Sequence, residues 1–121
     1  MNERIGGSGS EATPGDVLLA SLAGCKALAV AMVASSLKLN VSSLAVEVWG
    51  ELDHRGVLLM PGASRVGFES LHCRVQLRVP AEASAEQLER LKFAGEVCCA
   101  ITDTLRKATP LETIYDVERD P

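Results

Sequence analysis

From Val17 to Leu37 the chain reads VLLASLAGCKALAVAMVASSL, and Lys26 carries the only charge in that run. A helix that is apolar nearly all round belongs in the middle of a protein, so this segment restricts the chain to folds in which other elements enclose a central helix. Its start is written locally. Thr13 is a natural N-cap, Pro14 fits the first helical position, and Asp16 follows at the third, near the positive end of the helix dipole. The predicted helix runs to about Leu37, with alanines and Gly24 allowing close neighbours. Lys26 argues against a membrane span, which needs about 20 largely apolar residues.

The elements that follow alternate between two periods. Asn40 to Asp53 (NVSSLAVEVWGELD) alternates at period two, with Val46, Val48, Gly50 and Leu52 inward and Glu47, Trp49, Glu51 and Asp53 outward. Gly56, Pro61 and Gly62 then force a turn. Val66 to Val79 alternates again with Leu71, Cys73, Val75, Leu77 and Val79 inward, so the two strands read as an antiparallel pair. Ser84 opens a second helix, SAEQLERLKFAGEVCCAITDTLRKA, with acidic residues in its first turn and Arg106 and Lys107 in its last, before Pro110. Its periodicity buries Leu88, Leu91, Gly95, Cys98, Thr102 and Leu105 and leaves Cys99 at the edge of the stripe. Leu111 to Val117 (LETIYDV) reads as a closing strand. The order predicts one α+β domain over residues 13–121, preceded by a flexible Gly/Ser-rich segment at 1–12.

Composition removes several classes of function. A single Trp, a single Tyr and two Phe in 121 residues require an aliphatic core. The formal charge of -4, with no run of Lys or Arg, excludes a phosphate-binding surface and hence nucleic acid. Four cysteines without a C-x₂₋₄-C spacing suit neither a secreted disulfide framework nor zinc, and point to a reducing cytoplasm. Leu22-Ala23-Gly24-Cys25 has the form of a lipoprotein cleavage box, but the acidic residues before it and the apolar run after it do not match signal-peptide architecture. His54 and His72 read as solvent-facing.

The remaining chemistry lies in the thiols. Cys25 and Cys99 fall in the two apolar helical segments, and sulfurs on facing helices can reach disulfide distance only across a packed core. A reactive cysteine needs a cation, a helix N-terminus or hydrogen bonds to hold it as thiolate. Cys25 lies too far into its helix for the dipole to act, and Lys26 points about 100° away from it around the helix. Cys73 reads as a structural thiol. Cys98 reads as core filler and Cys99 as the more exposed of the vicinal pair.

TPGDVLLASLAGC, VSSLAVEVWGELD, GFESLHCRVQLRV and GEVCCAITDTLRKATPLETIYDV, in that order, resemble the OsmC/Ohr family of thiol-dependent peroxidases. The family pattern of the first central helix falls on Pro14, Asp16, Leu18, Leu19, Ser21, Leu22 and Cys25, and that of the second on Glu96, Cys99, Ile101, Thr102 and Leu105. The resemblance implies two central helices wrapped by antiparallel strands in an intertwined homodimer, with sites at the subunit interface. It implies that Cys25 attacks a peroxide, often an organic hydroperoxide, and becomes a sulfenic acid. Cys99 then closes a disulfide, which a dithiol or lipoylated protein reduces. No metal or organic cofactor enters, and Asp16, Glu96 and Cys98 are the supporting candidates.

This sequence departs from the pattern in several places. Gly15 stands where the organic-hydroperoxide branch has a catalytic Glu, Ala100 where a proline follows the second cysteine, and Cys98 is an extra thiol. The N-terminal strands that carry the family's Arg are mostly missing, and Arg4 does not match its spacing. The rival expectation is therefore a catalytically idle member that binds a small apolar ligand in the interface pocket, with a lipidated envelope protein third.

Overall fold

A computed structural model describes residues 12–121. Most of the loose segment expected at 1–12 lies outside them. The first helix, α1 (Pro14–Ser36), begins as the sequence dictates: Asp16 N–H donates to Thr13 Oγ1 at 3.1 Å, and Thr13 N–H donates to the Asp16 carboxylate at 2.9 Å. This reciprocal capping box satisfies two N–H groups that the helix itself leaves without acceptors. Past the Leu37 cap, Lys38 takes a left-handed conformation (φ 54°) that turns the chain away.

β1 (Ser43–Leu52) and β2 (Phe68–Arg78) form an antiparallel two-stranded sheet in which Val48 is paired with Cys73 and Trp49 with His72. Every second residue of β1, from Leu44 to Leu52, is half-buried, as the period-two pattern predicted. Gly50 belongs to that buried set because a Cβ there would meet Leu71 Cδ2 at 2.7 Å and the Ser70 carbonyl at 2.8 Å. On the outer face, Trp49 stacks on His72 with ring centroids 5.4 Å apart, and the Arg74 guanidinium lies 5.4 Å from the Trp49 ring. A short helix, α2 (His54–Val57), joins the strands and is capped by the Asp53 carboxylate.

α3 (Ala85–Val97) starts with a second capping box, Ser84 with Gln87, and α4 (Ala100–Arg106) follows it. α1 packs on α3, β1 and α4. One core cluster gathers Val30, Ala34, Leu39 and Leu91, with Leu44, Leu77 and Leu88 against them; the other gathers Leu22, Ala29 and Cys99, with Cys25, Val48, Leu71 and Ile101. Both are aliphatic, as the scarcity of aromatics required.

Three expectations are corrected. The second helix is not continuous: it stops at Val97, Cys98 caps its end, and Cys99 takes an extended conformation (φ -88°, ψ 106°) as the N-cap of α4. Residues 111–117 form no strand. Leu111 and Tyr115 are 92% and 84% exposed, and the segment joins neither edge of the β1–β2 sheet. On β2, Cys73 and Val75 are exposed although they lie on the helix-facing side, since the helices cover Leu71 and Leu77 and leave the strand between them open.

Candidate active site

The break between α3 and α4 reverses the expected environments of the two adjacent cysteines. On one straight helix Cys98 would face the core. With the extended residue at 99 the chain turns inward there, leaving Cys98 exposed and Cys99 wholly buried (0%). Cys99 performs the N-cap role itself, its Sγ accepting the Thr102 N–H at 3.5 Å. That task usually falls to Ser, Thr, Asn or Asp.

Cys25, half-buried on α1, packs into the same cluster. Burial alone pushes the Cys99 thiol up. The Thr102 backbone N–H and side chain, the neighbouring Cys25 thiol and the Lys26 charge outweigh that effect and hold Cys99 below the usual thiol range. Cys73 shows the opposite balance: burial pushes it up against the charges of Lys26 and Arg106.

Lys26 is the residue that sequence reasoning undervalued. It does point away from Cys25, but into the core, where it is 3% exposed. Its ammonium donates to the Gly95 carbonyl at 2.8 Å and to Thr102 Oγ1 at 3.2 Å, and it lies 3.6 Å from the Glu96 carboxylate. Arg106 binds the other Glu96 oxygen at 2.6 Å. Burial works against the Glu96 carboxylate, but the Arg106 hydrogen bond and the Lys26 charge prevail, so Glu96 titrates below its ordinary range. A lone lysine in an otherwise apolar helix was itself the signal, because a charge in such surroundings must find partners.

The structure thus brings together Cys25, Cys99 and Glu96 from the sequence candidates and adds Lys26 and Thr102. Asp16 is not among them. Its carboxylate is engaged at Thr13, about 13 Å from Cys25 along the helix axis. Cys98 faces outward. A groove of about 490 Å³, lined in part by Leu18, Leu22, Phe68, Leu71, Thr102 and Arg106, shares Leu22, Leu71 and Thr102 with the surroundings of Cys25 and Cys99, although neither cysteine lines it. A second cleft, about 570 Å³ between Glu51, Asp53, His54, Arg55 and Glu69, contains no cysteine. Among the described residues no group of three His, Cys, Asp or Glu side chains could hold a metal ion.

Several solved structures share this fold. An OsmC-like hydroperoxide resistance protein from Jannaschia sp. CCS1 superposes with a TM-score of 0.65 at 23% identity, covering 92% of this chain and 70% of that one. An organic hydroperoxide resistance protein OsmC from Legionella pneumophila gives 0.60 at 19%, covering 88% and 70%. An OsmC-like protein from Mycoplasma pneumoniae gives 0.62 at 19%, covering 78% of this chain, which spans only 62% of that protein's length. At these identities the likeness is one of fold. No curated protein matches the chain significantly. A sequence model of the OsmC-like proteins matches residues 7–114, nearly the whole chain, and by that match together with its α+β fold the chain belongs to the OsmC-like protein family.

Proposed function

We propose that this protein is a thiol-dependent peroxidase of oxidative-stress defence that uses Cys25 and Cys99. The observation that carries the reading is that Cys25, from α1, packs against the buried Cys99 in one core cluster whose Leu22 and Leu71 also line an apolar groove. Hydroperoxide resistance is the description borne by the Jannaschia and Legionella proteins of the same fold.

In the proposed cycle the Cys25 thiolate attacks the outer peroxide oxygen. The O–O bond breaks, an alcohol leaves with the proton lost by Cys25, and Cys25 becomes a sulfenic acid. The Cys99 sulfur then attacks the sulfenic sulfur, water leaves, and a Cys25–Cys99 disulfide forms. A dithiol or lipoylated protein reduces it by exchange in the cytoplasm. The apolar wall of Leu18, Leu22, Phe68 and Leu71 favours an organic hydroperoxide.

The unit proposed to act is a homodimer. Val17, Leu28 and Met32 form an exposed apolar stripe along α1, with Gly24 open between them, and Leu111, Ile114, Tyr115 and Val117 of the C-terminal segment are likewise uncovered. A second copy covers the stripe and receives the C-terminal segment as a strand on its open sheet edge.

One observation favours the rival reading of a binding module. Gly15 lies against Phe68, whose Cζ would be 3.1 Å from an added Cβ, so the Glu implied by the family pattern has no room unless that ring shifts. The readings separate on turnover. The peroxidase consumes cumene hydroperoxide with a dithiol and loses that activity on Cys25→Ser, whereas an idle module binds the hydroperoxide without consuming it.

A further inference from the structure

Lys26 takes no part in the cycle just proposed, yet among the described residues it is the only charged side chain that is buried. Its ammonium sits at the junction of three helices. The stem rises from α1, and the charge spans the break between α3 and α4: the Gly95 carbonyl and the Glu96 carboxylate lie on one side, Thr102 Oγ1 on the other. Arg106, in the last turn of α4, holds the second Glu96 oxygen, so a further ion pair crosses the same break.

The Gly95 carbonyl is the informative partner. The last bond of the α3 ladder runs from the Cys98 N–H to the Ala94 carbonyl at 2.9 Å. In an unbroken helix the next would run from the Cys99 N–H to the Gly95 carbonyl. That carbonyl accepts from Lys26 Nζ at 2.8 Å, and Cys99 leaves the helix in an extended conformation. A buried carbonyl at a helix end needs a donor from outside the ladder, and a cation is the donor that the negative end of the helix dipole favours. Lys26 meets both needs.

We propose that Lys26 is a positioning residue for the vicinal cysteines: by occupying the Gly95 carbonyl and bracing Thr102 across the break, it decides that Cys99 faces Cys25 and Cys98 faces solvent. Without the ammonium, the nearest donor for the Gly95 carbonyl is the Cys99 N–H. Making that bond joins α3 to α4, and on one straight helix Cys98 takes the inward position. Lys26 thus does from α1 what a proline at position 100 would do within the chain, since proline at the first residue of α4 keeps the residue before it extended. For the cycle proposed above, on which this consequence rests, Lys26 selects which of two adjacent thiols meets the Cys25 sulfenic acid.

The test is alkylation of the reduced, full-length protein by iodoacetamide under native conditions, with tandem mass spectrometry assigning the label to Cys98 or Cys99 within their shared peptide. Wild type is expected to label at the exposed Cys98 and to protect Cys99. Lys26→Met is expected to reverse that order, lowering the ratio of Cys98 to Cys99 labelling by about tenfold or more, and Ala100→Pro added to Lys26→Met is expected to restore it. A core that merely loosens exposes both thiols and is not corrected by the proline. Protected Cys99 in folded Lys26→Met overturns the proposal, as does a lowered ratio that Ala100→Pro leaves unrestored. Should circular dichroism show Lys26→Met unfolded, the double variant decides alone: folded with Cys99 protected it supports the proposal, and unfolded or with Cys99 labelled it overturns it. Peroxide treatment is read separately: wild type that forms no Cys25–Cys99 cross-link, with the labelling reversal intact, removes the cycle and leaves the role of Lys26.

Discussion

Cys99 sits wholly buried at the start of α4, where its sulfur accepts the Thr102 N–H and packs in the same cluster as Cys25. Cys99→Ser retains a cap for α4, so the fold is expected to persist while peroxide leaves Cys25 as a sulfenic acid that dimedone traps; untrapped protein with undiminished turnover would contradict the resolving role. Capping at Thr13 is a second residue-scale device. The Thr13 backbone and side-chain hydrogen bonds hold Asp16 below the usual carboxylate range. A carboxylate so depressed stabilises the folded state fully above its unfolded pKa, and that contribution is lost as pH falls through the lower folded value. Wild type is therefore expected to exceed Asp16→Asn in thermal stability near neutrality, with the difference closing on acidification; a pH-independent gap in melting temperature would contradict this. The start of α1 was legible in the sequence. The burial of Lys26 against Thr102 was not, because helical position gives a direction and not the element that meets it.

At the scale of elements, the split of α3 from α4 determines which of two adjacent cysteines is inside. The sequence hid that split. The family pattern has a proline after the second cysteine, and a proline would have marked a helix start there. Ala100 is an ordinary helix former, so the apolar periodicity ran through the break unaltered. The geometry nevertheless still suits proline: Ala100 is the first residue of α4, and Cys99 already has the extended backbone that a following proline requires. Ala100→Pro is expected to be tolerated and to raise stability by about 0.4–1 kcal/mol in a denaturant titration; a loss of more than that would show that the break is held differently. The two strands and their antiparallel pairing were legible for the usual reason, a period-two pattern with one covered face. The segment at 111–117 carries a strand-like pattern too, but alternation alone does not say which edge a strand joins, and this segment joins neither edge of its own sheet.

At the scale of the whole molecule, uncovered apolar side chains lie on α1 and the C-terminal segment, and also on the 57–66 loop and on α3. α1 has a mean hydropathy of 2.1 over its most apolar window, long and apolar enough by composition to cross a membrane, yet its other face packs on α3 and β1 and carries a buried lysine. In the proposed homodimer a second protomer covers the exposed stripe. Sedimentation velocity is expected to give a dimer, and Leu28→Glu with Met32→Glu to give monomers; a wild-type monomer at high concentration would contradict the proposed assembly.

The central claim is that two sulfurs, one from α1 and one from the start of α4, act on each other. Its most direct measurement is non-reducing peptide mapping by mass spectrometry after one equivalent of cumene hydroperoxide. The account predicts a Cys25–Cys99 cross-linked peptide, with Cys73 and Cys98 remaining as thiols. Recovery of Cys25 as sulfonic acid, or of a cross-link to Cys98 with Cys99 still reduced, would contradict it.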